Sequence, residues 1–115
     1  MIVLGIDPGI ANTGYGIVSS IGSRLQAVAF GVIETAPSAA TEARLAEIHA
    51  DVGELITRFA VDAVAVEDLY FGANVVSAMA VGQARGVVLL AAGQHGLPVR
   101  AYTPQQVKAA VCGNG

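Results

Sequence analysis

Between Glu34 and Thr41 the hydrophobic pattern of this chain changes period, and that change restricts the fold class before any motif is considered. On its N-terminal side, Val3 to Asp7 is a short apolar run closed by Pro8-Gly9. Tyr15 to Ser20 and Leu25 to Glu34 are β-rich runs separated by Gly22-Ser23. Runs of this length broken by turn residues predict strands, and connections this short predict an antiparallel meander. On its C-terminal side, Leu45, Ile48, Val52, Leu55, Ile56 and Phe59 recur mostly at spacings of three and four, with Glu42, Glu47, Asp51 and Glu54 on other faces. That pattern predicts an amphipathic helix over 41–59. Ala63 to Glu67 follows as a fourth strand. A helix over 74–94 is apolar nearly all round and is expected to be buried on more than one side. Pro98 to Tyr102 is a fifth strand. Thr103-Pro104-Gln105-Gln106 then forms a capping box with proline at the first helical position, starting a third helix that runs to Val111. The order βββαβαβα predicts an α/β protein, a five-stranded mixed sheet with helices on both faces. With no repeat, linker or low-complexity stretch, residues 1–115 read as a single domain.

Composition narrows the class further. The chain is 54% hydrophobic and only 13% charged, so either much of the surface is alanine and glycine or an apolar face meets a partner. The longest apolar stretch, Val75 to Gly93, is broken by Gln83 and Arg85. An arginine near the middle of a membrane span costs about 2.5–3.5 kcal/mol, so a buried helix is expected and no membrane partner. Met1 to Ile6 lacks a basic flank and ends at Asp7, unlike a secretory leader. The single cysteine, Cys112, excludes an internal disulfide and fits a reducing cytoplasm. The formal net charge of −3 argues, by itself, against a nucleic-acid binder.

Two carboxylates stand out. Asp7 ends the first apolar strand, and Glu67 ends the fourth with Asp68 beside it. A carboxylate at the edge of a buried strand is costly unless paired or bound to metal. If the first and fourth strands are parallel neighbours, both point into one crevice at the strand ends, where ligands bind in sheets of this kind. Two hard oxygen donors there suit Mg²⁺ or Mn²⁺ and in-line attack on a phosphodiester. Spacing alone leaves a second reading open, in which Asp7 starts the Pro8-Gly9 turn and Glu67 caps the next helix. The glycine-rich stretch Gly9 to Gly16, with Thr13, admits a phosphate cradle built from backbone N–H groups, as in sugar-kinase and actin-like ATPases. His49 and His95 have no ligand spacing with each other or with Cys112, and both read as surface residues. Arg85 reads as a structural or interface ion-pair residue.

Beyond these single residues, five motifs occur in order and at matching spacing. Ile6-Asp7-Pro8-Gly9 with Thr13-Gly14-Tyr15-Gly16 resembles the opening strand of RuvC-family Holliday-junction resolvases, and Ala65-Val66-Glu67 with its following aromatic segment resembles their second catalytic strand. Gly82-Gln83-Ala84-Arg85-Gly86, Gln106-Val107-Lys108 and Val111-Cys112-Gly113-Asn114-Gly115 are similar to further family segments. The resemblance implies an RNase H-like fold and a homodimer that nicks opposing strands of four-way junction DNA using Mg²⁺ and an acidic cluster. It implies that Asp7 and Glu67 are metal ligands, with Asp7 bridging two metals roughly 4 Å apart. Tyr70 falls where the family usually has a phenylalanine that stacks on a base near the crossover, and the adjacent Phe71 can offer the same π face. Lys108 holds a basic position facing the DNA backbone. The branch-migration proteins RuvA and RuvB are the implied partners, and the cytoplasm the implied location.

The chain departs from the family in stopping at Gly115, before the C-terminal helices and their two further metal-site aspartates. Asp62 and Asp68 do not match the context of those aspartates. Two other readings remain: a YqgF-type RNase H-like protein acting on RNA, and an ATP-binding fragment using the Gly9 to Gly16 loop. On the resolvase expectation, the 115-residue chain folds but nicks junctions weakly or not at all alone. A nicking rate comparable to that of a longer family member would overturn the second half of that expectation.

Overall fold

The computed structural model of the chain describes residues 1–67 and 75–102. Its elements are β1 (Ile2–Asp7), β2 (Asn12–Ile21), β3 (Arg24–Glu34), α1 (Thr41–Arg58), β4 (Ala63–Glu67), α2 (Val75–Gln94) and β5 (Val99–Tyr102). The five strands form one sheet in the order β3-β2-β1-β4-β5. The first three make the expected antiparallel meander, and β4 runs parallel to both β1 and β5. The β2–β3 hairpin turns tightly through Gly22, whose φ of 61° is the left-handed conformation that glycine adopts without steric cost. The third predicted helix, 103–111, lies outside the described residues.

Strand alternation sorts the sheet into two chemically different faces. On one, Leu4 pairs across to Ile17 and Val64, and Ile6 to Val66. These side chains join Ile48, Val52, Leu55 and Ile56 of α1 and Ala84, Val88, Ala91 and Ala92 of α2 in a single core. Both described helices therefore cover the same face. Each fully buried Leu, Ile or Val contributes about 1.5–3 kcal/mol, so this layer is the main source of stability.

Within the described residues α2 is buried along one stripe rather than on several sides. Met79 and Leu90 point outward and are more than half exposed. The helix holds five valines, two leucines and one methionine beside five alanines and three glycines. A Cβ added at Gly82, Gly86 or Gly93 would meet open space, so these positions demand no enclosure. No helix among the described residues is long and apolar enough to cross a membrane. β2 begins at Asn12, three residues before the pattern suggests, because Gly14 and Gly16 lower strand propensity yet are paired on both sides.

The end of α1 sets the approach of β4. Phe59 N–H donates to the Leu55 carbonyl and Val61 N–H to the Ile56 carbonyl, closing the helix around Ala60 at φ 50°. A non-glycine residue in that conformation is disfavoured by about 1–2 kcal/mol. Ala60→Gly is therefore expected to raise unfolding stability by about 0.5–1 kcal/mol, after glycine's greater entropy in the unfolded chain is counted. Leu4→Ala is expected to lower it by about 2–5 kcal/mol. Urea denaturation of the two variants checks both signs.

Candidate metal centre

Ile6 and Val66 are opposite each other in parallel strands and point into the core. The next residue on each strand must then point to the other face, and those residues are Asp7 and Glu67. One register step beyond Ile6 and Val66 sets the two carboxylates side by side on strands about 4.8 Å apart. Asp7 is exposed and Glu67 half-buried. The nearest positions of β1, β2 and β4 on this face are small, while Val32 and Phe30 of β3 flank Gly14 and Gly16, and Tyr102 of β5 is in register with Glu67. Asp7 faces Gly14, Gly5 faces Gly16 across the β1–β2 ladder, and Gly5 faces Ala65 across the β1–β4 ladder. A methyl group on Gly14 would sit 3.8 Å from the Asp7 Cβ. The carboxylates thus stand at the end of a row of small residues, of which Gly5, Gly16 and Ala65 are buried.

Two adjacent carboxylates repel each other unless a cation or proton lies between them. Both are hard oxygen donors, and Mg²⁺ is typically held by one or two protein carboxylates plus waters and substrate phosphates. The pair therefore fits a divalent ion. No group of three or more His, Cys, Asp or Glu side chains placed to hold a metal occurs among the described residues.

The segment that follows Asp7 is tied down from inside the protein. The buried Thr13 hydroxyl donates to the Gly9 carbonyl at 2.5 Å and accepts from the Gly9 N–H at 3.3 Å. The buried Thr35 hydroxyl donates to the Ile10 carbonyl at 2.6 Å, and its N–H donates to the Ala11 carbonyl at 3.1 Å. Arg44, on the first turn of α1, donates from Nε to the same Thr35 hydroxyl at 2.8 Å. None of these hydrogen bonds involves the Asp7 carboxylate. The same bonds bear on the phosphate-cradle reading of Gly9 to Gly16. Thr13 faces inward, and Gly14 and Gly16 lie in the strand ladders rather than in an open loop.

Of the other residues named from the sequence, Tyr70, Phe71 and Lys108 lie outside the described residues. Asp62 sits at the opposite, N-terminal edge of the sheet, where its carboxylate accepts the Ile2 N–H at 2.7 Å. His49 shares a hydrogen bond with Gln94 at 2.7 Å, and His95 bonds the Ala91 carbonyl at 2.9 Å, both along the helices and away from the carboxylates. Arg85 is half-buried, and its Nε has no hydrogen-bond partner among the described residues. Sequence reasoning passed over Arg100, which the pairing of β5 with Ala65 of β4 brings to the carboxylate face, where it is exposed. No local signal reveals this, because it depends on the register of β5. Thr13 and Thr35 were equally unmarked as supports of the turn.

Comparison with known proteins agrees with this geometry. Residues 3–115 match the family model described as crossover junction endodeoxyribonuclease RuvC. The RuvC of Alkaliphilus metalliredigens is 50% identical over 115 residues, covering the whole of this chain and 70% of that protein. The RuvC of Thermomicrobium roseum is also 50% identical, with the same coverage. The structure of T. thermophilus RuvC in complex with a Holliday junction substrate superposes with a TM-score of 0.83 at 42% identity, covering 94% of this chain and 68% of that one. The chain belongs to the RuvC family of crossover junction endodeoxyribonucleases and has its RNase H-like fold.

Gly9 allows a sharp test of the turn. A Cβ there would lie 2.5 Å from the Asn12 carbonyl oxygen, a main-chain atom that cannot swing aside. Gly9→Ala is expected to lower stability by about 1–3 kcal/mol, read as a fall in thermal midpoint relative to the parent chain.

Proposed function

We propose that this chain is catalytic-domain sequence of a structure-selective endonuclease that resolves four-way DNA junctions by metal-dependent nicking of opposing strands. The observation that carries the reading is the placement of Asp7 and Glu67 side by side at parallel strand ends, in a chain matched along its length by RuvC relatives.

In this reading Asp7 and Glu67 hold Mg²⁺, with Mn²⁺ as an alternative. A divalent ion bound there supplies charge neutralisation at the scissile phosphate and a lowered pKa for attacking water. Tyr70 and Phe71 offer π faces for bases unstacked at the crossover, and Lys108 offers a charge to the backbone. The outward residues of α2, Met79 and Leu90 among them, supply an apolar surface for homodimerisation, which gives two sites for two opposing strands. RuvA and RuvB are the proposed partners and the cytoplasm the proposed location.

Asp7→Asn in the full-length protein is expected to reduce Mg²⁺-dependent junction nicking by at least about 10³-fold while leaving junction binding within about threefold, since metal-site carboxylates act on the chemical step. Undiminished cleavage would remove Asp7 from the site. Binding to four-way junction, linear duplex and RNA, compared at one salt concentration, separates a resolvase from an RNA-directed relative. Thermal stabilisation by ATP rather than by junction DNA would favour the nucleotide-binding alternative.

A further inference from the structure

Thr13 and Thr35 are the buried polar side chains among the described residues, and both are committed to one short segment, the turn after Asp7. From this we infer that they are positioning residues, which fix the Asp7 carboxylate against Glu67 and thereby set the affinity of the metal centre. The inference rests on the reading of Asp7 as a metal ligand.

The geometry separates this role from ordinary packing. Thr13 lies on the helix-covered face of the sheet, in register with Ile33, whereas Asp7 points to the opposite face. Thr13 therefore cannot reach a metal held by Asp7 and acts only through the main chain. Its single hydroxyl grips both the N–H and the carbonyl of Gly9, two residues past the ligand. Thr35 secures the next two carbonyls, those of Ile10 and Ala11, one through its hydroxyl and one through its N–H. Arg44 then ties Thr35 to the start of α1. The turn is thus attached to a strand two places away in the sheet and to a helix, rather than resting on its own sequence. β1 ends at Asp7, so the ladder that holds the rest of the strand gives the ligand no support on its C-terminal side. The two threonines provide that support. Loss of a contact made directly to a ligand typically weakens metal affinity by about 10–100-fold, and a clamp acting through the main chain is expected at the lower end of that range.

The test uses the 115-residue chain and Mn²⁺, read as paramagnetic broadening of amide signals from Gly5 to Gly9, which detects weak binding without turnover. Thr13→Val keeps the side-chain shape and deletes the hydroxyl. It is expected to raise the half-effect Mn²⁺ concentration about tenfold, with the remaining amide spectrum preserved. Thr13→Ser restores the hydroxyl and is expected to stay within about twofold of the parent. A folded Thr13→Val chain with parental Mn²⁺ response would overturn the inference. Should Thr13→Val fail to fold, Thr35→Val decides: a rise of about threefold or more supports the clamp, and a parental response refutes it. Asp7→Asn separates the two levels of argument. If it abolishes the response while both threonine variants leave it unchanged, the metal reading stands and the clamp falls. If Asp7→Asn itself responds like the parent, both fall together.

Discussion

The parallel pairing of β1 with β4 is the constraint on which the rest of the molecule depends. Side chains in a strand alternate, so a slip of one residue in that pairing would exchange the two faces of β4 relative to β1. Leu4 and Ile6 would then lose Val64 and Val66 as neighbours in the core, and Asp7 would lose Glu67. The register is locked at the far end of the sheet by Asp62, whose carboxylate accepts the Ile2 N–H at 2.7 Å while its own N–H donates to the Ile2 carbonyl at 2.8 Å. Asp62 is thus a structural counterpart to the candidate metal-binding pair. It fixes, from one edge, the alignment that brings two carboxylates together at the other.

Much of this architecture was legible because hydrophobic period survives translation into structure. The alternation in β4 and the three–four spacing in α1 appear with bounds within a residue of those expected, since each element buries one defined face. Legibility failed in β2 and α2. Gly14 and Gly16 hid the start of β2, because glycine has weak strand preference and takes its conformation here from neighbours on both sides. In α2 residues apolar nearly all round read as a demand for burial on several sides that the helix, with Met79 and Leu90 exposed, does not make in the described residues.

The candidate site was half legible for a different reason. Asp7 and Glu67 could be picked out individually, because a carboxylate ending an apolar strand is conspicuous. That they share a face required the register, which no local window contains. The supports were wholly hidden. Thr35 bonds a carbonyl 25 positions away, and a threonine in a β-rich run looks like any other β-branched strand residue.

The same distinction between a sum and a placement resolves the objection raised by net charge. A formal charge of −3 describes the chain, whereas phosphate responds to the field at the surface it approaches. Two of the basic residues belong to α1, away from the carboxylates: Arg44 bonds Thr35, and the exposed Arg58 lies over the Phe59 ring at 5.3 Å from its centroid. Arg100, by contrast, is exposed on the face that carries Asp7 and Glu67, separated from β1 by a single strand. A bound divalent ion would add positive charge on that same face, turning the locally acidic end of the sheet into one able to receive a phosphodiester. Overall acidity and a phosphate-directed site are therefore compatible, because a divalent cation between the two carboxylates would cancel their charge and leave Arg100 as positive charge on that face.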